Sequence, residues 1–552
     1  MRTCRGALLA LALLVPVMAR ASGYTDFAMG RLAFTENDLP QAAARFEAAL
    51  AADPSNQVLR QRAFQAALVA GDAQRAGALA AGLPTGGGQD GTPALLRLAN
   101  AFAAGDWRGA ARAIDAVAAL KIGEAPGEIA RAWVRFAQGD RDGALKMLDP
   151  VTAPAGASAL VGEQRARMLA AMGRWVEART AYAGLVATNS GGVDLPIAAA
   201  DAAARAGDAG SARALLGSDL GAGVVELARA RLDAGKPILA QIGGPREGLA
   251  AMLGAIAAEF AHGGAGQPAL AYARIASFAA PASAERRLLV GELLREAKQP
   301  RAAEQVLDGI RGDSLWAAEV RALRARLLVD EGRRADALAL LTRAAEAKSA
   351  RPFDWQMLGD VRLDAKEYTA AAQAFDQALV LGGAEARKHW TFYFQRGSAY
   401  EQAHDWAHAE PDLRRALALN PNEPIVLNYL GYSLVDRGEK IDEGTRLLQS
   451  ALARAPNSAA IEDSLGWAYY RQGRFAEAIG LLERAEVGEP GDAAILDHLG
   501  DAYWALGRRL EARFRWNAAA SLDPDPELKA RLAAKIDFGF DAAGLAGARP
   551  SA

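Results

Sequence analysis

The chain has 552 residues, 51% of them apolar and 23% charged, with 63 Lys and Arg against 65 Asp and Glu. So even a charge excludes an electrostatic nucleic-acid binder, which needs a basic face or tail, and the apolar content excludes a disordered chain. A single cysteine excludes an internal disulfide, and no Cys/His spacing suits a structural zinc. Ala, Leu and Arg lose little entropy in a helix, and β-branched and aromatic runs are sparse, so the fold class expected is all-α.

In chain order, the first feature is an address. Arg2 and Arg5 precede the apolar run Gly6–Val17, and Ala19-Arg20-Ala21 supplies the small residues of a cleavage site, so residues 1–21 read as a secretory signal peptide. The run is shorter than the roughly 20 residues that span a bilayer. No later stretch of that length is free of charge, so no transmembrane segment is expected after signal removal. Cys4 lies before the apolar run, whereas a lipoprotein cysteine follows it, so no lipid anchor is expected. The expected location is periplasmic or exported, peripheral to the outer membrane where it meets it.

A period of 34 residues then runs through the chain. A turn residue followed by a polar step, with Ala five residues on, stands at Asn37, Gly71, Gly105, Gly139, Gly173 and Gly207, each 34 beyond the last. After a less regular stretch it returns at Lys298, Gly332, Lys366, His404, Gly438, Gly473 and Gly507. Such a repeat resembles the tetratricopeptide repeat (TPR), a helix-turn-helix unit with Leu-Gly, Tyr, Ala, aromatic, Ala and Pro at fixed offsets. Leu465-Gly466, Tyr469, Ala478, Ala485 and Pro490 fit those positions, as do Leu499-Gly500, Tyr503, Ala512, Trp516, Ala519 and Pro524, and, at the start, Gly30, Ala42, Phe46, Ala49 and Pro54. The resemblance spans about residues 24–525. It implies a right-handed α-solenoid of about 13–15 units, because neither helix of a unit can bury its apolar face alone.

The period divides the chain into an N-terminal array over 22–220, a stretch of degenerate repeats or a joint over 221–285, and a C-terminal array over 286–525. In the middle stretch Gly235 and Gly263-Gly264-Ala265-Gly266 read equally as turns of shortened units or as a hinge. Residues 86–91 match GxGxxG but follow no strand, so they read as a linker and not a dinucleotide site. Asp525-Pro526 with Leu528, Leu532 and Ile536 predicts an N-capped helix over 526–538 that covers the end of the last unit, followed by a flexible tail over 539–552.

Catalytic signatures are missing: there is no HExxH, GxSxG or Walker loop, and repeats occupy nearly the whole chain, so no enzyme activity and no cofactor are expected. His404 and His408 are four apart, but His404 falls on a turn position, so the two need not share a face and no metal is expected there.

The repeat resemblance implies that each unit's first helix lines a groove that takes protein or peptide partners. Carried over by offset from the Leu-Gly glycine, the partner-binding positions are Asp360 and Asp364; Phe394; Asn428, Tyr432 and Asp436; Asp463, Trp467, Tyr470 and Arg471; and Asp497, Asp501 and Trp504. Carboxylates and aromatics suit basic or amide-rich segments. The competing reading is that the acids solvate the groove while Trp467 and Trp504 pack between units.

The block LNYLGYSLVDRGEKIDEG, EDSLGWAYYRQGRF and LDHLGDAYWALGRRLEARFRW carries a narrower likeness. Over about residues 390–537 it is similar to large proteobacterial envelope TPR proteins, among them the adaptor lipoprotein of a periplasmic carboxyl-terminal processing protease. That implies a non-catalytic scaffold or adaptor in the cell envelope, with a processing protease and cell-wall hydrolases as partners. The lipobox of that adaptor is missing here. A structural subunit of an envelope export or polysaccharide-assembly complex is the alternative, and a cryptic enzyme site near 220–285 is a third reading.

Overall fold

The structure is a computed structural model that describes residues 23–84, 91–118, 125–149, 157–187, 194–217, 223–239 and 243–540. The expected signal peptide, most of the GxGxxG linker and residues 541–552 lie outside the described residues. Helices dominate, and no strand occurs among the described residues.

The repeating unit is a hairpin: an inner helix, a left-handed turn residue and an outer helix. All thirteen turn residues marked by the period have φ between 57° and 99°. At Gly71 the next amide, that of Asp72, donates back to the Ala67 carbonyl at 3.0 Å, the six-residue closure that ends a helix on a left-handed residue. Where the residue after the turn is Asp, its carboxylate starts the outer helix: Asp72 accepts from Arg75 N, Asp140 from Gly143 N and Asp208 from Ser211 N. In other units an Arg takes that place and pairs with an acid three residues on, as Arg474 does with Glu477 and Arg508 with Glu511.

Small residues set the distance between the two helices. A Cβ on Gly500 would stand 2.4 Å from the Trp516 ring, and one on Gly466 2.7 Å from Leu482. Trp516 fills the space left by the missing side chain, with its Nε1 donating to Asp501 Oδ1 at 3.1 Å.

Contacts divide the chain into two compact units, Met1–Met357 and Leu358–Ala552. The division falls inside the helix Pro352–Asp364, not in 221–285, where the period breaks.

In the N-terminal unit, six hairpins run from residue 23 to Leu215. The helix Gly223–Asp233 ends at Gly235 (φ 64°), and no outer helix follows it among the described residues. The next two helices, Pro245–His262 and Gly266–Ala279, form a full hairpin about Gly264 (φ 72°). Of the two readings of 221–285, shortened units or a joint, the hairpin about Gly264 is a packed helical element. This hairpin lies against the inner helices Gln57–Ala70, Thr92–Ala104, Ala125–Ala137 and Ser158–Ala171. Its burial explains why: Leu249 through Leu253 and Tyr272 through Ser277 are buried at consecutive positions, so these stretches are enclosed on every side, while Ala255, Glu259 and His262 keep one stripe of the first helix in solvent. Gly248 meets the Trp133 ring, Arg246 Nε donates to Phe102 O at 3.1 Å, and buried Arg274 Nε donates to Val69 O at 3.2 Å. Two arginines of the hairpin thereby engage carbonyls at the C-terminal ends of two successive inner helices.

In the C-terminal unit, the outer helix Tyr368–Ala386 is followed by hairpins over 390–419, 424–454, 459–488 and 493–521, and then by Pro526–Phe538. Inner helices of neighbouring units touch (Pro424–Asp436 on Ala459–Arg471, and that on Ala493–Ala505), which places their row on the inner side of this array. The last helix has the predicted bounds, with Asp525 accepting from Glu527 N and Leu528 N. Of the tail expected over 539–552 only two residues are described: Phe540 is buried and Gly539 (φ 78°) packs against Trp504.

Candidate partner-binding face

The inner face of the C-terminal unit carries the residues predicted to bind a partner, and the structure sorts them into two groups. Phe394, Asn428, Tyr432, Arg471 and Asp360 are half-buried, and Asp364 and Asp436 are exposed. Asp463, Trp467, Tyr470, Asp497, Asp501 and Trp504 are buried. The first group forms an open stretch. The second corrects the expectation of a continuous acidic groove, because its carboxylates are already occupied by side chains of this chain.

The occupation follows the period. His498, 35 residues after Asp463, directs Nδ1 to Asp463 Oδ1 at 2.9 Å. Arg531, 34 after Asp497, pairs with Asp497 Oδ2 at 3.1 Å, and Lys535, 34 after Asp501, places Nζ 2.6 Å from Asp497 Oδ1 and 2.7 Å from Asp501 Oδ1. In the open stretch Gln395, 35 after Asp360, donates to Asp360 Oδ1 at 3.1 Å. One inner helix is thus tied to the next by a polar rung at the same register. Sequence reasoning missed His498, Gln395, Arg531 and Lys535 as partners of these acids. The signal was available, since each stands one period beyond the acid it meets.

Burial gives the closed group an unusual titration. Burial and the charge of Asp497 push the Asp501 carboxyl upward, to about 7, against the pull of Lys535. For His498 burial works downward, but Asp463, with Asp497 and Asp501 beyond it, prevails and raises it. The Trp467 ring is stacked between Tyr470 (4.9 Å, 12°) and His498 (4.4 Å, 17°), so a rigid aromatic column fills this part of the face.

The open stretch differs in kind. Phe394 meets Tyr429 edge to face at 5.5 Å, and Tyr429 donates its hydroxyl to Glu401 Oε2 at 3.0 Å. Burial, then the negative charges of Asp436 and Asp463, hold the Tyr432 phenol above its ordinary range, so it is a neutral donor throughout the physiological range. Arg471 donates to Asp436 O at 2.8 Å and lies 5.9 Å from the Trp467 ring centre. Asn428 Oδ1 and Trp467 Nε1 are buried with no hydrogen-bond partner among the described residues. Such groups cost about 1–3 kcal/mol each. Chemically the stretch offers flat apolar area, neutral donors and exposed carboxylate. His408 pairs with Asp405 at 2.7 Å, and His404 occupies the turn at φ 60°, so the two histidines do not converge.

Matches to family profiles agree with the repeat reading. Tetratricopeptide repeat family profiles match residues 323–387, 390–423 and 464–527. A TPR repeat-containing protein of Pseudomonas aeruginosa is 36% identical over 102 residues, which is 18% of this chain and 17% of that protein. Among solved structures, a chain of the APC/C hetero-tetramer Cut9-Hcn1 is 15% identical over 95% of this chain and 98% of its own, with TM-score 0.42. YrrB, described as a TPR protein with an unusual peptide-binding site, is 22% identical over 32% of this chain and 90% of its own, with TM-score 0.27.

Proposed function

We propose that this tetratricopeptide-repeat solenoid is a non-catalytic interaction scaffold of the cell envelope, and that it seats a basic segment of a partner protein on the open stretch from Asp364 through Phe394 and Tyr432 to Asp436. One observation carries the reading: the chain's own terminal helix presents Arg531 and Lys535 to Asp497 and Asp501 on the same row of inner helices. The row therefore accepts cations delivered from a helix, and two and four units earlier Asp436 and Asp364 remain exposed, with Arg531 of the terminal helix near enough to Tyr432 to act on its phenol. The aromatics Phe394 and Tyr432 supply apolar area at low entropic cost, and the acids set charge preference and approach rate. The signal pattern of residues 1–21 supports export, and the likeness to envelope adaptors supports a processing protease and cell-wall hydrolases as the partners.

The test is capture from envelope extract by three forms of the chain: wild type, an inner-face variant (Asp364→Ala, Phe394→Ala, Asp436→Ala) and an outer-face control (Leu510→Ala, Phe514→Ala). The reading expects proteins retained by wild type and control and lost by the inner-face variant; the same proteins on all three would refute it. The alternative, a structural subunit of an envelope assembly, has one observation in its favour. Leu510 and Phe514, one turn apart on Arg509–Ser521, are 85% and 67% exposed. If those two side chains, and not the inner face, decide retention, that alternative replaces the scaffold reading.

A further inference from the structure

A cleft of about 530 Å³ opens within the N-terminal unit beside the helix Gly223–Asp233, which has no outer helix among the described residues. Its size is that of a small-molecule or peptide-end site. Its floor is apolar and shallow-chained: Leu227, Ala230, Ala317, Ala318, Ala344 and Ala347. No aromatic ring lines it, so nothing there stacks a base or a sugar.

Four cations, Arg231, Lys236, Arg321 and Arg351, stand around this floor with two acids, Asp313 and Asp354. The acids are engaged. Asp354 takes Arg321 at 2.6 Å on one oxygen and the Arg351 backbone amide at 3.0 Å on the other, and Asp313 is gripped by Arg311 at 2.6 and 2.9 Å. Arg231 donates to the carbonyls of Ile238 (2.8 Å) and Asp313 (3.0 Å) and forms no direct ion pair among the described residues, so the Asp313 carboxylate, already held by Arg311, offsets its charge only in part. The side chains of Lys236 and Arg351 make no hydrogen bond or ion pair among the described residues. Two further buried acids stand close by: Glu226 accepts the Phe353 amide at 3.1 Å and is pushed up to about 7 by burial, and Glu319 accepts the Val224 amide and is also raised by burial, so they offset Arg351 and Arg321 weakly. The result is a small apolar cleft with an excess of positive charge, in a chain whose net charge is −2.

We propose that this cleft binds a carboxylate-headed ligand with a small aliphatic body, the head held by Arg231, Lys236 and Arg351 and the body laid on the alanine floor. A carboxylate matches the planar donor fork of arginine, and the alanines leave depth for short side chains or methylenes. A protein's free C-terminus and a fatty acid share this chemistry.

Calorimetric titration of the full chain distinguishes them with three probes: acetyl-Leu-Ala-Ala with a free carboxylate, the same peptide as its amide, and decanoate. The proposal expects a carboxylate probe to bind, the amide to bind at least about tenfold more weakly than the acid, and the variant K236E/R351E to lose the acid with its helicity and unfolding midpoint unchanged. Binding of the peptide acid alone identifies a chain terminus, and binding of decanoate alone identifies an acyl chain. K236Q/R351Q keeps the test decisive if charge reversal lowers helicity. The proposal is overturned if no carboxylate probe binds at about 5 mM, a concentration that reveals even millimolar affinity, if acid and amide bind alike, or if the folded variants bind as wild type does.

Discussion

His498 and Asp463 face each other across two successive repeats at 2.9 Å, both buried, with the imidazole stacked on Trp467. The proton on His498 therefore belongs to the fold. A group whose pKa is raised on folding adds stability that is fully present below its unfolded pKa and is lost as pH rises through its folded value. His498 and Asp501 are both raised, so both act in the same direction. In the N-terminal unit Glu226 and Glu285 are raised by burial to about 7 and add to the trend. The thermal midpoint of the chain is expected to fall between about pH 5 and pH 8. Followed by Trp fluorescence, the part of that fall reported from the C-terminal unit should shrink in His498→Gln; a midpoint that rises over this range would contradict the account.

Lys535 is 2% exposed and shared by two carboxylates. Its removal leaves buried Asp501 without its cation and Asp497 with Arg531 alone. Lys535→Met is expected to destabilise the C-terminal unit by about 3–5 kcal/mol. Adding Asp497→Asn and Asp501→Asn should recover most of the loss, because an uncharged cluster has no unpaired charge to bury. Urea unfolding of the four proteins in the cycle measures this, and strict additivity would show that the groups do not interact.

Arg274 tests the element that fills the N-terminal inner face. It is 5% exposed, bonded to the Val69 carbonyl, and lowered to about 10 by desolvation with no carboxylate to offset it. Arg274→Leu is expected to speed hydrogen exchange in both 57–70 and 266–279, while exchange in the C-terminal unit stays unchanged. Faster exchange in only one of the two segments would mean that they do not open together.

Much of this architecture is legible in the amino-acid sequence, and the limits have physical causes. A left-handed turn requires Gly or a tolerant residue, so Gly71 through Gly507 print the period directly, and even Lys298, Lys366 and His404 hold φ near 60°. The bounds 526–538 follow from an Asp-Pro start and an apolar i, i+4 stripe. The inner-face acids were harder. Asp501 and Asp360 stand at the same offset from their Leu-Gly glycine, yet one is buried beside Lys535 of the terminal helix and the other is half-buried beside Gln395, a difference made by tertiary contact. The same holds for 245–279. Its apolar residues on every face announce burial, but which surface receives it depends on the path of the preceding array.

The most direct measurement of the central claim is site-specific photo-crosslinking of the full chain in envelope extract, with the crosslinker placed in turn at Tyr432, at Trp467 and at Phe514. The account predicts partner adducts at Tyr432, on the open stretch, none at Trp467, which is enclosed between Tyr470 and His498, and none of the same partners at Phe514 on the outer helix. Adducts confined to Phe514, or no adduct at Tyr432 alongside strong capture by the whole chain, would contradict it.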